Sequence, residues 1–174
     1  MRIYQIIVFF VFKQLYMRGA IIILFLLFTI ITQAQVSRDT VLRNCPVFIT
    51  DTVSVNNFFI EGLPATLRVF RVRGKLTVKV EQRDQSFTLF FHGNKLKSKV
   101  YEIDEGSKSR KEVEAAYTFK SGDQVSYIGV SNGRLEVSYD KSREMWRLVT
   151  SGLIRNRVER SVTYYRVKAD FYIK

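Results

Sequence analysis

The sequence predicts an all-β fold: a single antiparallel β-sandwich or small β-barrel of about nine or ten strands joined by hairpins, behind an N-terminal apolar helical leader. Three observations lead there. Apolar and polar residues alternate over short runs, turn residues recur about every ten positions, and beyond Gln35 no stretch holds a helical period for three turns.

The leader is read from Gly19 to Ile31, GAIIILFLLFTII, an uncharged apolar run preceded by Met17-Arg18 and followed by Thr32-Gln33-Ala34. A basic start, a short apolar run and a small residue at the cut are the parts of a secretory signal peptide. The run falls short of the roughly 20 residues that span a bilayer core. Cleavage is expected after Ala34, so residues 1–34 are the signal peptide or leader and 35–174 a single all-β domain. Residues 1–16 add a second apolar stretch broken by Lys13, and Met17 is the more ordinary translation start. An uncleaved anchor using both stretches is the rival, at the cost of placing Lys13 and Arg18 in lipid.

Beyond the leader, Pro46 and Pro64, the only prolines, stand at the beginnings of strand-like runs, where a missing N–H does least harm. In KLTVKVEQ (75–82), Leu76, Val78 and Val80 point one way and Lys75, Thr77, Lys79 and Glu81 the other. Arg73-Gly74 is expected to close 65–72 onto 75–82. In SFTLFF (86–91), Phe87, Leu89 and Phe91 share a face and Phe90 takes the other. His92-Gly93-Asn94 is expected to fold this run onto KLKSKVYEI, where Lys95, Lys97 and Lys99 would alternate along one strand. The polar segment 102–114 reads as a hairpin loop. Ser121-Gly122-Asp123 closes VEAAYTFK onto QVSYIGVS, and Asn132-Gly133, between two alternating runs, is the strongest hairpin signal in the chain. Residues 141–144 separate 134–140 from MWRLVT, and Ser151-Gly152 starts a final long segment.

Groups that could carry catalysis are few. One histidine and one cysteine exclude a zinc site of the His/Cys type, and one cysteine excludes an intrachain disulfide. Cys45 follows Leu42-Arg43-Asn44, not the small residues of an acylation site, and reads as a small buried residue. His92 sits in a turn signal. Ser138-Tyr139-Asp140-Lys141 matches S-x-x-K, yet straddles a strand end, where no helical turn returns the lysine to the serine. Glu102, Asp104, Glu105, Glu112 and Glu114 flank Lys108, Arg110 and Lys111 as a solvated loop with balancing charge. No enzyme, cofactor or metal is expected.

The charge has a pattern. Arg2, Lys13 and Arg18 of the leader take three of the +12 net charges, leaving +9 on the rest. In LIRNRVERSVTYYRVKADFYIK (153–174), Arg155, Arg157, Arg160, Arg166 and Lys168 are interleaved with Tyr164, Tyr165 and Tyr172. Guanidinium forks grip carboxylate or phosphate, and tyrosine rings stack on flat apolar patches. The expected function is an exported binding or interaction domain in the periplasm, at the outer cell surface or secreted. Its expected partner is an anionic envelope polymer, lipid headgroup or envelope protein. Arg155, Arg157, Arg166, Lys168 and Tyr164 are the contacts, with Lys95, Lys97 and Lys99 as a secondary patch. Nucleic acid is not expected, and membrane contact is expected only through an uncleaved leader. The alternatives are a β-barrel carrier of a small apolar ligand, its cavity lined by Phe87, Leu89, Tyr117, Phe119, Val137 and Tyr139, or a structural subunit of an envelope assembly.

Overall fold

The structure is a computed structural model that describes residues 38–53, 58–59, 61–93, 95–104, 112–158 and 161–174. The leader, the cleavage after Ala34 and the start at Met17 lie outside the described residues. The fold is all-β, as the alternation predicts, with no helix among the described residues. The described residues form ten strands: β1 (Arg38–Leu42), β2 (Val47–Asp51), β3 (Ala65–Val72), β4 (Lys75–Gln82), β5 (Gln85–Phe91), β6 (Lys99–Asp104), β7 (Val113–Ser121), β8 (Gln124–Asp140), β9 (Met145–Val158) and β10 (Ser161–Ile173). They form one antiparallel sheet in the order β1-β3-β4-β5-β7-β8-β9-β10-β2, with β6 also paired to β8, curled into a half-barrel.

Residues 43–46 carry the chain from β1 at one end of the sheet to β2 at the other. Five steps of extended chain reach at most about 18 Å, so the two ends must lie close together. The Asp170 N–H donates to the Pro46 carbonyl (3.2 Å) and the Cys45 N–H to the Glu61 carbonyl (3.0 Å), tying this crossing down. A cleft of about 310 Å³ marks the open seam, lined by Thr40, Leu67, Phe171 and Ile173 among others.

Most of the expected turns are present. Arg73-Gly74 joins β3 to β4, both residues at positive φ (51° and 78°), as a type I′ hairpin requires. Gly122 (φ 59°) turns β7 into β8. At the β8–β9 turn, Asp140 Oδ1 accepts from Ser142 N (2.9 Å), Ser142 Oγ (2.6 Å) and Arg143 N (3.3 Å). These bonds, the Ser142 hydroxyl first, hold the Asp140 carboxyl below its ordinary pKa. Pro46 and Pro64 immediately precede β2 and β3.

Three expected turns are corrected. Asn132-Gly133 makes no hairpin: it lies inside the 17-residue β8, with neither residue at positive φ. Ser151-Gly152 starts nothing; it is the middle of β9, directly opposite Gly133-Arg134. His92-Gly93-Asn94 does not fold β5 onto β6, because β5 pairs with β4 and β7 while β6 pairs with β8. The segment 102–114 is likewise no hairpin. Strands β6 and β7 follow one another along the same edge of β8, opposite residues 132–137 and 124–129. Residues 105–111 of that segment lie outside the described residues.

One physical device explains all of this. Two walls share β8: a first wall of β1, β3, β4, β5 and β7 with the start of β8, and a second of β6, the rest of β8, β9, β10 and β2. They part at Val130–Asn132, where the β8–β9 register shifts and Ser131 is the extra residue of a β-bulge, its Oγ donating to Leu153 O (3.2 Å). Bulges kink a strand and increase its twist, and glycine lets backbones close up there. Gly133 and Gly152 are cross-strand partners beneath Val130. A Cβ on Gly152 would stand 2.8 Å from Val130 Cγ1, 2.9 Å from Asn132 O and 3.1 Å from Gly133 Cα.

The inner faces of both walls form one core, in which Val78, Val80, Phe87, Leu89, Leu135, Leu148 and Ile154 are essentially inaccessible. Burying Val78 alone is worth about 1.5–3 kcal/mol. Cys45 is buried as expected, its Sγ 3.8 Å from Val47 O, and burial pushes the thiol pKa up. Thr77, expected to face water, is buried because Phe70 and Phe90 flank it across the strands. Phe58 and Phe59 close one end over Tyr117, whose hydroxyl donates to Gln85 Oε1 (2.9 Å) while Gln85 Nε2 donates to Phe58 O. Burial, with a smaller contribution from Tyr165, pushes the Tyr117 pKa up to about 12.

Gly152→Ala is expected to cost about 1–3 kcal/mol in urea denaturation. Val130→Ala in the same chain should restore part of this, so the double variant loses at least about 0.5 kcal/mol less than the sum of the singles; additive losses would contradict the close approach. Tyr117 gives an alkaline signature. Between its ordinary value near 10 and the folded value of about 12, the unfolded chain has lost the proton and the folded chain keeps it, so stability falls as pH rises. Tyr117→Phe should flatten that decline in melting curves taken above about pH 10; an identical slope would show that Tyr117 is not its source.

Candidate functional site

The register of the second wall decides which of the C-terminal cations meet. In β10, Val167, Ala169, Phe171 and Ile173 are buried, so Tyr164, Arg166 and Lys168 project outward, and all three are exposed. Tyr164 is the direct partner of Arg155, Arg166 of Leu153, and Lys168 of Ser151. Arg157 lies further along β9 opposite Val162, where its backbone alone is described. Directly paired residues share a face. Arg155, Tyr164, Arg166 and Lys168 therefore sit on one outer surface, and Arg160 lies outside the described residues.

Two further residues extend or limit this face. Arg134 in β8 is exposed and pairs with Ser151, which carries the cationic face one strand further. Sequence reasoning missed it, although Leu135 and Val137 turning inward require Arg134 to turn outward. Tyr165 belongs to the other side: its ring meets Phe58 edge-on at 5.1 Å.

The charges divide along the strands. Near the start of β9, Arg147 Nε and Nη2 donate to the two oxygens of Asp170 at 3.0 and 2.6 Å. This fork holds the Asp170 carboxyl below its ordinary pKa and raises that of Arg147. Tyr172, beside it, lies under the Arg143 guanidinium at 4.7 Å. Arg155, Arg166 and Lys168 form no ion pair among the described residues.

The second predicted patch is built differently from expected. Lys95 and Lys97 lie in the loop between β5 and β6, and only Lys99 opens a strand, so strand alternation does not align the three. They nonetheless line one hollow of about 280 Å³, together with Phe91, His92, Tyr101 and Glu112. The Tyr101 hydroxyl pins the loop, accepting from Lys97 N (3.3 Å) and donating to Lys97 O (3.4 Å). Lys99 Nζ lies 4.6 Å from the centre of the Tyr101 ring and donates to Glu112 Oε2. His92 sits between Lys75 Nζ, 3.4 Å from its Nδ1, and Glu114 Oε1, 3.1 Å from its Nε2. With Lys75 donating to Nδ1 and Nε2–H donating to Glu114, both ring nitrogens are used.

A second hollow of about 380 Å³ opens on the outside of the first wall and shares Phe91 and His92 with the first. Its walls are Val72, Leu76, Thr77, Phe90 and Tyr127, with Arg73, Lys75 and Glu114 at the polar side. Of the aromatic row expected to line a barrel cavity, Phe87, Leu89, Tyr117 and Val137 are packed in the core, and none of the six residues lines these two hollows or the seam. Among the described residues, no three His, Cys, Asp or Glu side chains are grouped to hold a metal ion. No protein-family model, curated protein or solved structure matches this chain.

Proposed function

We propose that the chain is an exported, non-enzymatic binding domain of the cell envelope, directed there by a leader removed after Ala34. Its partner is an anionic envelope polymer, engaged by the outer face of β9 and β10. The observation that carries this reading is the register that sets Arg155 beside Tyr164 and puts Arg166 and Lys168 on the same exposed surface, without an ion pair among the described residues. An exposed strand face with spaced cations suits an extended polymer better than a compact ligand. The Tyr164 ring offers a stacking surface for a sugar. Arg134 widens the face by one strand.

Titration of the purified protein with an acidic polysaccharide such as polygalacturonate tests the proposal. Binding should weaken steeply between about 0.05 and 0.3 M salt, as screening shortens the reach of surface charge. Arg155→Ala and Arg166→Ala should each weaken it about tenfold. Tyr164→Ala should weaken it without changing the salt dependence. Absent or salt-insensitive binding, or arginine variants that bind as the parent does, would contradict the proposal.

A further inference from the structure

We infer that the two hollows meeting at Phe91 and His92 form one site for a single-chain anionic lipid, its acyl chain in the outer hollow and its phosphate among the lysines. The outer hollow has apolar lining on its open side: Phe90 is half-buried and Val72 lies 42% exposed at the edge, while Leu76, a core residue, borders it from within. Thr77, the cross-strand partner of Phe70 and Phe90, is buried between them and lines the hollow beside Phe90, so that the short threonine leaves a trough there.

The adjoining hollow has the opposite character. Lys95, Lys97 and Lys99 line it, while Lys75 and Arg73 stand at the rim of its neighbour. The two carboxylates in the pair of hollows are both engaged, Glu112 by Lys99 and Glu114 by His92. Cations therefore exceed acids, and Lys95 and Lys97 have no ion pair among the described residues.

Charge complementarity and adjacency together select the occupant. A free phosphate would use the lysines and leave the apolar trough empty. A neutral apolar molecule would use the trough and gain nothing from five cations. A molecule with a hydrocarbon tail and a doubly charged head uses both, with His92 and Phe91 at the junction. Each buried methylene should add roughly fourfold to the affinity.

Decyl phosphate, kept below its micelle concentration, is the probe, followed by calorimetry on the purified protein. It should bind at least about tenfold tighter than hexyl phosphate. Decyl maltoside and inorganic phosphate should both bind far more weakly. Lys95→Glu with Lys97→Glu, both exposed positions, should abolish the preference for decyl phosphate over decyl maltoside, and Val72→Asp, at the rim, should abolish the dependence on chain length. Equal binding of decyl phosphate and inorganic phosphate, absence of a chain-length effect, or unchanged affinities in these variants would overturn the inference. Capture by anionic vesicles alone, undisturbed by Val72→Asp, would also overturn it in favour of surface electrostatics. These substitutions lie away from Arg155, Tyr164 and Arg166, so failure here is distinguishable from failure of the polymer-binding proposal.

Discussion

The close approach of Gly133 and Gly152 beneath Val130 is the constraint on which the rest of the molecule depends. A strand as long as β8 cannot serve two differently directed walls while remaining regular. The bulge at Ser131 turns it, and the paired glycines let β9 follow without a clash. With the turn made, the first half of β8 holds β7 and the second half holds β6, and the inner faces of both walls close on a single core. A side chain on Gly152 would push against Val130 on one side and backbone on the other, so the strain could not be relieved by rotating a flexible group.

The same parting of the walls makes the candidate sites. Because β5 ends in the first wall and β6 begins in the second, the lysine-lined hollow lies where they part, lined by Phe91 and His92 from one side and Lys97, Lys99 and Tyr101 from the other. Phe91 from one wall and Tyr101 from the other meet edge-on at 5.9 Å and form its inner limit. On the far side, β9 extends past the bulge and places Arg155 opposite Tyr164, beyond the Arg147–Asp170 pair that neutralises the start of the strand. Charge segregation along β9 and β10 thus follows from strand length.

Much of this was legible in the residues. Period-2 alternation located the core rows, and Arg73-Gly74, Gly122 and the 141–144 turn were read from local chemistry that the structure retains. Asn132-Gly133 misled for a definable reason. A hairpin with those two residues at its tip would make Val130 and Leu135 cross-strand partners facing the same way, and a one-residue bulge at Ser131 also turns both inward. Alternation cannot separate the two. What separates them is partners on both edges of β8, which only the assembled fold supplies. The lysine patch was found for a partly wrong reason: its residues converge through a loop pinned by Tyr101, and no periodicity encodes that contact. Arg166 and Lys168, by contrast, lie two apart in the regular strand β10, so the pleat of the strand alone puts them on one face.

The most direct test of the account is the pattern of through-space proton contacts around residue 133 in a solution NMR spectrum. A continuous β8 predicts an alpha-proton contact between Gly133 and Gly152, and none across a turn between Ser131 and Arg134. Strong Ser131–Arg134 contacts with no Gly133–Gly152 contact would mean that Asn132-Gly133 turns the chain back on itself, and the two-walled architecture built on that strand would not stand.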